Sequence, residues 1–321
     1  MTFTSRACYT EIVMRSSSLT NNSGQALLLV VLGLAVVLVV VLSVLSSTLT
    51  DVRIAGGEDE SLRAFSAAEA GVEKQLIAAD NGSLQGSFAN TNASFTTALT
   101  SFGSGLNFNY PLSLSSGETA TIWFVSHASD GSLICDASHS CFTGSKIKVC
   151  WGKSGTSNNV GTTPALELSF YYSNPPFVAG SGDYSNIKVA RVAVDPNSGR
   201  LATNFFDASD AGTCSLGASN YVFAKSVDLA ALGIPATSYG VAGGLQTMKV
   251  KLLYNSDTTQ TIGADINFPQ NSGSTLPPQG SQIDSTGISG VSTRKVEVVR
   301  LYADLPPIFD AAVFSPVGLA K

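Results

Sequence analysis

Histidine, charge and the short motifs of enzymes are all scarce in this sequence, and each shortage excludes something. Two histidines, His127 and His139, leave few bases for Ser–His or Cys–His catalysis. No GxSxG, HExxH, phosphate-binding glycine-rich loop or CxxC pair occurs in the 321 residues. Charged residues amount to 13 %, about half the usual share, so Ser, Thr, Asn and Gly must cover much of the surface, as in many exported proteins. The net charge of −5 comes from scattered acids, and without a run of Lys or Arg nothing can track a phosphate backbone. Nucleic-acid binding is therefore not expected. No repeat of solenoid length is visible.

What is present begins with an apolar run. Ala26–Leu45 reads ALLLVVLGLAVVLVVVLSVL without a charge, long enough as a helix to cross the hydrocarbon core of a bilayer. An ordinary signal peptide has a shorter apolar core, although the small residues Ser46 and Ser47 keep conventional cleavage as an alternative. Arg6 and Arg15, against Glu11, precede the run and Asp51 follows it, which puts the N-terminus in the cytoplasm and everything after about Thr50 outside. Met14 opens a shorter leader, MRSSSLTNNSG, that keeps Arg15 and is an alternative start.

Five cysteines are present, but Cys8 lies ahead of the apolar run. The remaining four, Cys135, Cys141, Cys150 and Cys214, form an even set in a domain expected to be exported, which predicts disulfides. Three connectivities exist, of which Cys135–Cys141 with Cys150–Cys214 is preferred. Cys135, His139, Cys141 and Cys150 could instead hold zinc, but their spacing is not that of a standard finger. Asp207 and Asp210 beside Gly212 fall short of the ligand count calcium needs and read as a solvated turn. Neither a metal nor a cofactor is expected.

Gly24, followed by Gln25 and the unbroken apolar run, resembles the prepilin peptidase site of type IV pilins and type II secretion pseudopilins. The stretch SLRAFSAAEAGVEKQL (Ser61–Leu76) resembles the segment after the anchor in PilX-type minor pilins, which carry a similar Ala-Phe-x-Ala-Ala-Glu-Ala run. Together the two motifs cover about the first quarter of the chain. The resemblance implies cleavage after Gly24 by prepilin peptidase, with methylation, and assembly with other pilin subunits by a platform protein and an ATPase. One departure is that the fifth mature position, usually a glutamate in major pilins, is Leu29, and the first is Gln25 instead of phenylalanine. Loss of that carboxylate removes both a burial penalty and a register-setting contact, and favours a minor or tip subunit.

The segments expected are a leader (1–24), a transmembrane helix (25–50) in which Leu29 and Gly33 are packing positions, an amphipathic helix (51–80) and an exported β-rich domain (81–321). In the second helical segment Leu62, Phe65, Val72 and Leu76, with Ala68 between them, fall on one stripe at helical spacing, while Arg63, Glu73 and Lys74 lie off it. Glu69, beside that stripe, is expected to cap or pair at the helix–sheet boundary or to be solvated. Gly56 and Gly57 predict a bend or local unwinding, since each costs about 1 kcal/mol inside a helix.

Beyond Asp80 the pattern changes to short alternating runs. Lys146–Trp151 sets Ile147, Val149 and Trp151 against two lysines, and Ala165–Tyr172 sets Leu166, Leu168, Phe170 and Tyr172 against Glu167 and Ser169. Met248–Tyr254, Ile187–Val194, Tyr221–Val227 and Lys295–Tyr302 are further strand candidates. Asp195–Gly199 predicts a turn, and the Gly- and Ser-rich stretches Gly155–Thr163 and Asn271–Gly290 predict loops. The fold class expected is α+β, a long N-terminal helix followed by a mainly antiparallel β domain. The function expected is structural: a minor filament subunit in the cytoplasmic membrane, single-pass, moving to a cell-surface filament on assembly. The alternative is a membrane-anchored adhesin-like binding module that never enters a filament. An exported hydrolase would need an acid–base pair that the sequence does not reveal.

Overall fold

The computed structural model describes residues 23–78, 82–176, 178 and 185–304. The expected leader up to residue 22, with Cys8 and Met14, lies outside them, as do residues 79–81 and the tail from 305 onward. The fold is α+β, with one long helix, α1 (Ser23–Ala78), followed by a mainly antiparallel β domain. The chain divides into two compact units, residues 1–62 and 63–321, and α1 contributes to both.

In the first unit every Leu and Val from Leu27 to Leu45 is exposed. Eight of the twenty residues Ala26–Leu45 are valines, whose stiff side chains favour strands in water. A helix satisfies every backbone group internally, which is the requirement hydrocarbon imposes. The helix is long and apolar enough to cross a membrane. Where the run ends, the hydroxyls of Ser47 and Thr48 donate to Val44 O and that of Thr50 to Ser46 O, each at 2.9 Å, so these polar side chains are satisfied within the helix. The unwinding expected at Gly56 and Gly57 does not occur. The helix continues through both, and no other group lies within 4 Å of where a Cβ would sit on either. Nothing there pries the helical hydrogen bonds open, and the propensity cost of two glycines is spread over a 56-residue element.

The second unit follows with β1 (Ser83–Ser87), β2 (Ala93–Phe102), β3 (Asn107–Asn109), β4 (Thr119–Trp123), β5 (Ser126–His127) and β6 (Leu133–Ile134). Next come β7 (Lys146–Trp151), β8 (Ala165–Ser173), β9 (Ile187–Asp195), α2 (Ser198–Asn204), β10 (Asp207–Ala208), β11 (Cys214–Leu216), β12 (Ser219–Tyr221) and β13 (Phe223–Asp228). The last elements are α3 (Ala236–Tyr239), β14 (Leu245–Leu253), β15 (Ile262–Asp265), a 3-10 turn (Pro269–Asn271), β16 (Gly280–Ser289) and β17 (Ser292–Leu301).

Two sheets, ordered β10-β9-β8-β14-β4 and β13-β7-β15-β3, share one apolar core. Its centre is Trp151, Phe124, Phe142 and Phe170 with the inward residues of β7, β8 and β14, and Trp151 Nε1 donates to Pro164 O at 2.9 Å. The alternation in β7 and β8 buries Ile147, Val149, Leu166, Leu168 and Phe170 as the sequence pattern predicts. Each such side chain stabilises the fold by about 1.5–3 kcal/mol.

The turn expected at Asp195–Gly199 leads straight into α2, capped by Asn197, whose side chain accepts from Gly199 N. That short helix carries Arg200 to the fully buried Asp195, and the guanidinium donates to both carboxylate oxygens at 2.8 Å. Arg200 also donates to Gly161 O and Thr163 O at 2.7 Å, tying down the loop ahead of β8. A buried carboxylate requires such partners. The candidate Tyr221–Val227 divides between β12 and β13.

A third sheet, β1-β2-β16-β17, is antiparallel throughout. Here the expectation of a loop over Asn271–Gly290 is wrong, because β16 is an inner strand paired along its whole length with β2 and β17. Its Gly and Ser residues read as a linker in sequence, yet Ser285, Gly287 and Ser289 form a shallow face on which a helix can lie.

Candidate functional site

The helix–sheet contact of the second unit is made by small side chains. Ala64, Ala67, Ala68 and Gly71 are buried on one face of α1, together with Val72 and Gln75. A methyl group on Gly287 would overlap the carbonyl oxygen of Ala64 and come within 2.6 Å of Ala68 N, so the helix backbone rests directly on β16. A methyl group on Gly71 would overlap Ser285 Oγ and approach Thr97 and Phe95 within 2.8 and 2.9 Å. Glycine is needed at 287 because helix backbone lies against it, and Gly71 leaves room for the side chains of β2 and β16 that crowd the helix.

The polar groups in this contact are paired. Ser285 Oγ donates to Ala68 O at 2.6 Å, and Thr97 Oγ1 donates to Gln75 Oε1 at 2.5 Å, both buried. Lys74 lies 5.6 Å from the centre of the Phe95 ring.

The apolar stripe expected to pack on the domain does not do so. Leu62 is 68 % exposed, Phe65 43 % and Leu76 41 %, while Val72 alone of the large residues named is buried, at 8 %. The buried face is centred on Ala64, Ala67, Ala68 and Gly71, and the expected stripe is turned from it by roughly a quarter of the helix circumference, each residue advancing about 100°. The reason is distance: a Leu or Phe under the helix would hold its backbone off β16 and forfeit the contacts of Ser285 and Gly287. The signal in the sequence is the i, i+3, i+4, i+7 spacing of Ala64, Ala67, Ala68 and Gly71, which size-blind hydrophobic periodicity passes over.

Leu62, Phe65 and Leu76 are therefore an outward apolar stripe that nothing covers among the described residues. Glu69 is exposed beside them and forms no ion pair among the described residues. Leu29 is exposed, and space around Gly33 is open to 4 Å. Gly24 and Gln25, between which the expected cut falls, stand in the first turn of α1, and the leader up to residue 22 lies outside the described residues.

Cys135 is bonded to Cys141 and Cys150 to Cys214, the connectivity preferred from the sequence. These bonds leave no free thiolate for the zinc alternative, and among the described residues no group of three or more His, Cys, Asp and Glu is placed to hold a metal. Asp207 and Asp210 do not converge on a cation. Asp207 lies 3.8 Å from Lys225 Nζ, and Asp210 accepts from Ser226 N at 2.6 Å, so both serve the β10–β13 region. No protein-family model, curated protein or solved structure matches this chain.

Proposed function

We propose that this chain is a minor subunit of a type IV pilus or pilus-like filament, cut after Gly24 and assembled through its N-terminal helix. The observation that carries the reading is the division of labour along α1. Its first half is apolar on every side, its second half binds the β domain through an Ala/Gly face, and a separate stripe of Leu62, Phe65 and Leu76 stays open for a neighbouring subunit. Such a helix serves the same protein twice, first as a single membrane span with the β domain outside, then as packing material inside a fibre. The span is compatible with both environments because neither offers water to an unpaired backbone group.

In this reading the partners are prepilin peptidase, other pilin subunits and the assembly platform, and the protein works by packing, not turnover. Leu29 in place of a fifth-position glutamate fits a tip or minor place, where no terminal amine above has to be paired. The test is N-terminal sequencing of the mature protein from membranes. A start at Gln25, lost when Gly24→Leu leaves an uncut precursor, is the expected result. A start after Ser46 or Ser47 means an ordinary signal peptide and ends the proposal.

A further inference from the structure

Both histidines of the chain line one cavity of about 400 Å³ at the surface of the β domain, within the range of small-molecule sites. Three built walls surround it. The first is the loop closed by the Cys135–Cys141 disulfide, where Asp136 Oδ1 accepts from Ser138 N and His139 N at 2.8 Å and from His139 Nδ1 at 2.9 Å. With Nδ1 turned to that carboxylate, Nε2 is the ring nitrogen of His139 left for a ligand.

The second wall is Thr275–Pro278. Gln279, itself buried, holds it by accepting from Trp123 N at 2.7 Å and donating to Trp123 O at 2.9 Å and Pro277 O at 2.8 Å. Leu276 also exchanges backbone hydrogen bonds with Gly105. The third wall is aromatic: His127 stacks on Tyr302 at 3.8 Å between centroids and takes the edge of Trp123 at 4.6 Å. His127 Nδ1 is buried without a partner among the described residues, and burial favours the neutral imidazole.

The lining decides the class of ligand. Among the described residues no Asp, Glu, Lys or Arg lines the cavity, so the described walls offer an ionic ligand no carboxylate, ammonium or guanidinium in exchange for its hydration. What the walls offer is hydroxyls (Ser104, Ser138, Thr275), imidazoles, and the apolar surfaces of Leu276, Pro278 and Tyr302. Groups that both donate and accept, beside apolar patches, match a molecule with hydroxyls around its edge and C–H groups on its faces. We propose that this cavity binds a neutral saccharide of one or two rings. The site belongs to the β domain alone, so it stands or falls separately from processing at Gly24.

The test uses the full chain in a detergent without a sugar headgroup, titrated with lactose, cellobiose and N,N′-diacetylchitobiose under saturation-transfer NMR. Anionic 3′-sialyllactose and cationic chitosan disaccharide are the charged controls. The expected result is saturable binding of at least one neutral disaccharide, weakened about tenfold or more by His139→Ala with Ser138→Ala while the thermal unfolding curve is unchanged. Thr275→Val, on the opposite wall, is the second variant and should weaken binding in the same direction if the first pair disturbs the disulfide loop. The proposal is overturned if no neutral saccharide saturates, if both variants bind as well as the parent, or if a charged control binds more tightly.

Discussion

The two halves of α1 reverse the usual link between hydrophobicity and burial. From Leu27 to Leu45 the helix carries large Leu and Val side chains, and all are exposed; from Ala64 to Gln75 the residues it buries are mostly Ala and Gly. Against β16 the limiting quantity is distance between backbones, and small residues gain more by close approach than large ones by area. In the apolar half the Leu and Val side chains are exposed among the described residues, and no close backbone contact limits their size.

The contrast can be sharpened by breaking elements that exist in one unit alone. Removing the Cys150–Cys214 bond, whose partners stand 64 residues apart, is expected to cost the β domain about 4 kcal/mol and to leave α1 helical. Unfolding by denaturant followed by Trp fluorescence, with helicity tracked separately, should show the domain transition moving alone. Concerted loss of both signals would contradict the separation.

The same chemical change in the two halves gives the next largest difference. Gly287→Val should destabilise the β domain by about 3 kcal/mol or more, since its Cβ meets helix backbone that no rotamer change can clear. Gly33→Val, in open space, should change stability by less than about 0.5 kcal/mol. Equal effects on the unfolding midpoint would refute the proposed role of close approach.

Acid provides a third separation, because Ala26–Leu45 carries no titratable side chain. His127 is pushed by burial from 6.5 down to about 4. A folded-state value below the unfolded one means that the unfolded chain binds the proton more readily. Its contribution is therefore complete above about pH 6.5 and is lost as pH falls towards 4. Since the ring is only partly buried, solvent screening leaves about 1 kcal/mol of this effect. His127→Phe should flatten that part of the stability–pH curve, and a curve of unchanged slope would dissociate it from the ring.

The smallest expected change in stability is at the open stripe. Phe65→Ser, at a side chain already 43 % exposed, should shift the domain's unfolding by less than about 0.5 kcal/mol. If the chain enters a filament as proposed, immunogold counts on purified filaments should nevertheless fall, because the proposal gives the stripe to a neighbouring subunit. Full incorporation would remove that assignment.

Several elements were legible before the structure: the apolar helix, the alternating strands β7 and β8, and the cysteine pairing. Each depends on order along the chain or on spacing of one residue type. The face of α1 that docks, the identity of β16 as an inner strand and the meeting of His127 with His139 were not legible. A stripe of alanine looks weakly apolar beside Leu62 and Phe65, and Gly-Ser composition looks like a linker until a helix lies on it.

By itself the sequence determined that a long apolar segment leads a disulfide-bearing β domain, because backbone hydrogen bonding and side-chain alternation are local properties. Only the tertiary structure decided which face of the helix is covered and which residues line a common cavity. Those choices depend on how closely two backbones can approach and on residues far apart in the chain, quantities that hydrophobic periodicity blind to side-chain size does not weigh.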